Sequence, residues 1–215
     1  SAYPETIMLS EWSNPEQTLS AGFNIDLLIH NGIGGKIYRP LVCETTDKMV
    51  PTVCYFNREG KGEIRAAMEL YGEIYNTYRR LGGYASMPTN SHDIWRLTRM
   101  NRATAEEQKV AITLFLTLPT PPIVYYGEEI GMRNLEYAPA KEGSVSSRNR
   151  SVCRTPMQWD KSKNAGFSTA DPEKLYLPVD NAPDFPNVAE QLTDPNSVLN
   201  YVTDLIALRK ATPAF

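Results

Sequence analysis

Apolar residues gather in four short runs: Thr6 to Trp12 (TIMLSEW), Asn24 to His30 (NIDLLIH), Tyr84 to Thr89 (YASMPT) and Pro122 to Gly127 (PIVYYG). Three of them are near-continuous rather than alternating, as in strands covered on both faces. YASMPT, with few apolar positions, is the weakest of the four. The segments between them change period. Gly62 to Leu81 places Ile64, Ala67, Met68, Tyr71, Ile74, Tyr75 and Tyr78 at spacings of three and four, and ends at Gly82-Gly83, which predicts an amphipathic helix with a glycine stop. Thr104 to Leu118 opens on Thr104-x-x-Glu107, a capping box. It carries Ala111, Leu114, Phe115 and Leu118 on one face and stops before Pro119. Pro195 to Ala211 follows Asp194, an N-cap residue with proline at N1, and its stripe is Val198, Val202, Leu205 and Ile206. Strand, helix, strand, helix in this order predicts a parallel α/β sheet. The first crossover, residues 13–23, lies close to the roughly dozen-residue minimum.

Two long connections break the rhythm: residues 31–61 after the second run, and residues 128–194 after the fourth. Connections beyond about 15 residues are usually functional or disordered. Both follow strands directly, so both belong at the C-terminal edge of a parallel sheet, the edge that carries active sites in barrels. The aromatic and arginine content of RTPMQWD and NAGFST in the second connection predicts a folded insertion over a site.

Composition narrows the partners. With 41% hydrophobic and 22% charged residues the chain is ordinary for a globular protein. A net charge of -3 and a pI near 5.5 give no basic surface, so neither nucleic acid nor an anionic membrane is an expected partner. No apolar run approaches the ~20 residues of a membrane-spanning helix. Cys43, Cys54 and Cys153 cannot all pair within one chain. Cys43 and Cys54 could bridge, but free thiols are the expected state, because a disulfide-built domain is shorter and richer in cysteine. Ser1-Ala2 reads as the scar of an expression tag.

The chemistry-bearing residues sit at the ends of the apolar runs. Glu11 closes the first, against Trp12. By position it is a solvated carboxylate at a loop start. The other reading is a general acid, since apolar neighbours disfavour the ionised form and keep a proton available. Asp93, beside His92 after the third run, reads either as a capping residue in a turn that opens a helix or as half of a site. Two carboxylates at strand ends below long loops suggest glycoside chemistry, in which paired carboxylates serve as nucleophile and acid/base and fixed negative charge steadies an oxocarbenium-like transition state. Glu128 and Glu129 read as a helix start or a loop-pinning element. Metal hydrolysis lacks support: the other imidazole, His30, ends a different run and no H-x-x-x-H spacing occurs. No C-x-x-C occurs, and no G-x-S-x-G nucleophile elbow. No cofactor or metal is implied.

On these motifs the sequence resembles the α-amylase family, glycoside hydrolase family 13. MLSEWSNPEQTLSAGFNID is similar to the segment through the fifth and sixth barrel strands. TNSHDIWRL resembles the seventh-strand motif, with Ser91 where the family usually has Asn. LPTPPIVYYGEEIGM resembles the eighth strand and its loop, and LIALRKATPAF the last barrel helix. RTPMQWD with NAGFS is similar to the α-glucosidase and trehalose- or trehalulose-forming branch. The resemblance implies the C-terminal half of a (β/α)8 TIM barrel. It implies Glu11 as general acid/base and Asp93 as the carboxylate that stabilises the transition state and grips sugar hydroxyls. His92 would bind the same sugar, Arg154 would hold its non-reducing end, and Trp12 would stand on the leaving-group side.

The expected organisation is one partial catalytic barrel over residues 1–215, from the fifth strand to the eighth helix, with a long insertion at about 128–194. The first half-barrel, with the family's nucleophile, and the C-terminal β-domain would lie outside these residues. The expected function is that of a retaining enzyme acting on α-glucosidic bonds of oligosaccharides, without activity in this chain alone. The other reading is a non-catalytic carbohydrate-binding or interaction module. A half-barrel has unpaired strand edges, so self-association is also expected.

Overall fold

The computed structural model describes residues 3–29, 32–42, 55–56, 64–98, 104–141 and 149–214. Three short parallel strands form the sheet: β1 (Leu9–Ser10), β2 (Ile25–Leu27) and β3 (Tyr84–Ser86), in the order β1-β2-β3. Leu9 pairs with Ile25, and Ile25 with Tyr84. Helix α1 (Pro15–Ser20) crosses from β1 to β2, and α3 (Arg65–Arg80) leads into β3. The weakest of the four runs is thus a strand in the sheet. The fourth run continues the order but is reduced to one parallel bridge, Pro88 with Ile123. Pro88, Pro121 and Pro122 have no N–H to give, so a full ladder cannot form there. Side chains substitute for it: the Ser86 hydroxyl donates to the Pro121 carbonyl at 2.6 Å and the Tyr125 amide donates to Thr89 Oγ1 at 3.0 Å.

The helices form as their patterns dictate. In α3 the buried positions are Ala67, Tyr71, Ile74 and Tyr78, one stripe at helical spacing. Helix α4 (Ala105–Thr117) opens on the reciprocal Thr104–Glu107 capping box. Its C-terminal carbonyls are satisfied from helix α6 (Val198–Ala211): Arg209 donates to the carbonyls of Leu116, Leu118 and Thr120. The cap of α6 differs from the expected one. Ser197, not Asp194, accepts from the Asn200 amide. Asp194 is engaged one turn earlier, where its carboxylate accepts from the Asn196 amide and closes the end of helix α5 (Val188–Thr193).

The connection 31–61 is not wholly a loop, because it contains helix α2 (Gly35–Val42). Its Gly-Gly start and Pro40 disguise it, yet Ile37, Tyr38, Leu41 and Val42 are buried in the core, where the helix packs against α3. Expectations for His30, Cys43 and Cys54, and for residues 31, 43–54 and 57–61 of that connection, fall outside the described residues. The described residues of the 128–194 stretch contain tight single turns at Glu128–Ile130, Arg150–Cys153, Lys163–Gly166 and Pro172–Lys174. Gly127 and Gly131 flank the first of these at φ +84° and +67°, where side chains with a Cβ are strained. Cys153 is a free, buried thiol.

Candidate functional site

Parallel strands all point one way, so the segments after β1 and β3 emerge at the same edge of the sheet. β2 lies between them, which separates their backbones by two strand spacings, roughly 10 Å. Glu11 and Trp12 leave β1 there, exposed to solvent. They line a cavity of about 470 Å³ with Leu9, Ser10, Gln17, Thr18, Ala21 and Phe23. The Trp12 indole N–H donates to Gln17, fixing the ring along the start of α1.

After β3 the chain makes a turn rather than a helix. The Asp93 amide donates to the Ser91 hydroxyl at 3.2 Å, so Ser91 closes this turn with its own oxygen. Asp93 is held by two guanidinium groups: Arg150 Nη1 at 2.8 Å and Arg154 Nη2 at 3.0 Å both reach Oδ1. His92 Nε2 lies 3.3 Å from the same oxygen, with its ring mostly in solvent. Arg154 also donates through Nε to the His92 carbonyl at 2.7 Å. Two charge-assisted bonds on a carboxylate with only 16% side-chain exposure fix its orientation far better than a solvated pair would. His92, Asp93 and Arg154 are therefore brought together. Glu11 and Trp12 belong to a second group at the same edge. Arg150 was missed by sequence reasoning: it opens the 3-10 turn Arg150–Cys153 that Arg154 closes, and only the fold brings that turn against Asp93.

A buried framework carries the Asp93 turn. Glu128 is 1% exposed; it accepts from the Asn90 amide group at 3.0 Å and from the Leu97 backbone N–H at 3.3 Å. Glu128 is thus the loop-pinning member of the Glu128-Glu129 pair. Arg96, fully buried, donates to the Tyr126 carbonyl at 2.6 Å and lies 4.0 Å from Glu128. Its Nε and Nη2 make no hydrogen bond. The guanidinium packs instead on the rings of Tyr125 and Tyr126, 5.2 and 4.8 Å from their centroids. Burial pushes both phenols above the usual tyrosine range. Burial also pushes the Cys153 thiol up to about 11, so this cysteine, beside the Asp93 turn, is an inert core group rather than a nucleophile. Among the described residues no cluster of His, Cys, Asp and Glu could hold a metal ion. None of the described helices is long and apolar enough to cross a membrane.

Arg154 lines a further pocket of about 350 Å³ with Tyr126, Phe167, Tyr176 and Leu177. The edge thus presents carboxylates, cations and aromatic rings around open cavities. Charged groups of this kind can take hydroxyls and ring faces can take C–H surfaces, the chemistry that suits a neutral polyhydroxylated ligand.

Comparison with known proteins fits this chemistry. The family model of the α-amylase catalytic domain matches residues 54–215, a span that includes His92, Asp93 and Arg154; Glu11 and Trp12 precede it. The trehalose synthase/amylase TreS of Mycobacterium tuberculosis is 40% identical over 106 residues, covering 47% of this chain and 16% of that protein. The glucan 1,6-alpha-glucosidase of Streptococcus pneumoniae is 34% identical over 170 residues, 64% of this chain and 31% of that one. The chain thus spans less than a third of the length of these relatives. The crystal structure of Bacillus licheniformis trehalose-6-phosphate hydrolase (TreA) superposes with a TM-score of 0.70 at 18% identity, over 96% of this chain and 40% of that one. The chain belongs to the α-amylase family, and its parallel sheet with flanking helices is part of that family's catalytic barrel.

Proposed function

We propose that these residues supply the acid/base side of a retaining site for α-glucosidic bonds in oligosaccharides. The observation that carries the reading is the clustering of His92, Asp93 and Arg154 at the sheet edge where Glu11 also emerges. In this reading Glu11 protonates the glycosidic oxygen as the bond to the anomeric carbon breaks, then removes a proton from the water or sugar hydroxyl that attacks next. Asp93, oriented by Arg150 and Arg154, accepts hydrogen bonds from sugar hydroxyls and stabilises the positive charge that develops on the ring. His92 and Arg154 bind the same sugar, and Trp12 offers a ring face beside Glu11.

The covalent nucleophile is to be supplied by a further carboxylate outside this set, so the chain by itself binds sugar without turning it over. In the same reading residues 1–215 are one partial barrel domain.

The test is turnover of an aryl α-glucoside and of maltotriose by the 215-residue chain and its Glu11→Gln variant, with calorimetric titration of maltotriose in parallel. Binding without turnover, weakened at least tenfold by Asp93→Asn, is the expected result. Turnover that Glu11→Gln abolishes overturns the need for an outside nucleophile. Absence of maltotriose binding overturns the sugar-site reading.

A further inference from the structure

A buried carboxylate beside the Glu11 segment has no part in the catalytic scheme above. Asp26, on β2, is 0% exposed, and every donor around it comes from elsewhere in the chain. Its Oδ1 accepts from the Ser10 hydroxyl at 2.6 Å, the Trp12 amide at 3.1 Å and the Ser13 amide at 3.0 Å. Its Oδ2 accepts from the Asn14 amide at 2.9 Å and the Tyr78 hydroxyl at 2.6 Å. Three consecutive backbone N–H groups therefore converge on one carboxylate, a nest satisfied within the chain.

The geometry has a cost that shows where it acts. Ser13 sits at φ +56°, a left-handed conformation that a serine adopts only when its surroundings impose it. What imposes it is visible. Asp26 takes its amide, its hydroxyl donates to the Leu27 carbonyl at 2.8 Å, and the Ile29 amide donates to that hydroxyl at 3.3 Å. The chain is thus pinned on both sides of Glu11, at Ser10 before it and at Trp12, Ser13 and Asn14 after it. An ordinary β1-to-α1 turn needs no buried carboxylate, because α1 already has its N-cap: the Asn14 side chain accepts from the Gln17 amide.

We propose that Asp26 is the positioning residue of the acid/base loop: it sets the direction of the Glu11 side chain and of the Trp12 ring without touching substrate. The inference rests on the acid/base reading of Glu11 for its purpose, but not for its geometry. A carboxylate with all its acceptor sites taken is the group suited to hold a strained loop, because it offers acceptors only and has no donor to clash with the converging N–H groups. Asparagine at the same position must turn an NH₂ toward at least one of them.

The experiment follows amide hydrogen exchange by NMR in the 215-residue chain, together with the resonance of the Trp12 indole N–H, which Gln17 accepts. In the unaltered chain the Trp12, Ser13 and Asn14 amides are expected to be protected; exchange at the rate of unstructured peptide overturns the proposal even if every variant fails to fold. Asp26→Asn is expected to accelerate exchange at those three amides at least tenfold and to move the Trp12 indole resonance toward its position in unstructured peptide, while Ala111, Ile112 and Phe115 in α4 exchange as before. Tyr78→Phe removes one donor but no loop contact, and is expected to leave exchange within twofold and the indole resonance in place. An unmoved indole resonance in Asp26→Asn, or a Tyr78→Phe effect as large as that of Asp26→Asn, reduces Asp26 to a core-packing group and overturns the proposal. Failure of the catalytic reading would look different: the exchange and indole results would hold, but Asp93→Asn would leave maltotriose binding unchanged.

Discussion

Replacing Arg96 with methionine tests how the Asp93 turn is held. The guanidinium is fully buried between the Tyr125–Tyr126 pair and Glu128. Methionine fills most of its volume but removes the cation that lies against the buried Glu128 carboxylate, 1% exposed. Breaking a buried pair from one side costs about 3–5 kcal/mol. The 4.0 Å separation puts the ionic part at the lower end of that range. The bond to the Tyr126 carbonyl, about 1.5–3 kcal/mol, and the aromatic contacts, about 2 kcal/mol, overlap with it rather than add. A net loss of about 3–5 kcal/mol follows. Unfolding in urea, followed by circular dichroism, should show the midpoint falling by about 2 M at a slope of about 2 kcal/mol per M. The Arg96→Met/Glu128→Gln double variant should recover most of that loss, because the glutamine keeps an acceptor for Asn90 and Leu97 without a charge. A single variant whose midpoint stays within about 0.3 M of the parent would refute the reasoning. So would a double variant less stable than the single one, since Glu128 would then not depend on Arg96.

Cys153 gives a pH prediction. Its thiol rises from 9.0 to about 11 on folding, so between those values the unfolded chain releases a proton that the folded chain keeps. Stability present below pH 9 is therefore lost as pH climbs toward 11, by about 3 kcal/mol; comparing urea midpoints at pH 8 and pH 10.5 with those of Cys153→Ala isolates the effect, and equal pH dependence in both chains would contradict it. Thr104→Ala deletes one half of the α4 capping box and should lower stability by about 1 kcal/mol, with a change below about 0.3 kcal/mol counting against the cap. Finally, β1 pairs only with β2 among the described residues, and Leu9 within it and Tyr3, Ile7 and Met8 just before it are exposed. Light scattering is expected to find assemblies heavier than the 24.2 kDa chain, and a monodisperse monomer at high concentration would refute self-association through this edge.

The amino-acid sequence by itself determined the elements whose physics is local. The stripe Ala67, Tyr71, Ile74, Tyr78 and the Thr104–Glu107 box specify α3 and α4 through neighbours three or four residues away. The His92-Asp93 pair, Glu11 and Arg154 could be singled out as candidates because short motifs carry them. What depends on distant partners was not legible. Helix α2 is hidden by its glycines and Pro40 and is stabilised by burial in the core against α3. The fourth run lost its ladder to prolines whose neighbours only the sheet reveals. Asp194 and Ser197 are both competent caps, and packing of α5 against α6 chose between them. Arg150 reaches Asp93 from 57 residues away, and Tyr78 reaches Asp26 across 52. A lone carboxylate in an apolar strand carries no mark of which donors will surround it. Helix periodicity encodes contacts the chain makes with itself nearby, whereas a buried charge is defined by whatever the fold brings to it, and only the tertiary structure decides that.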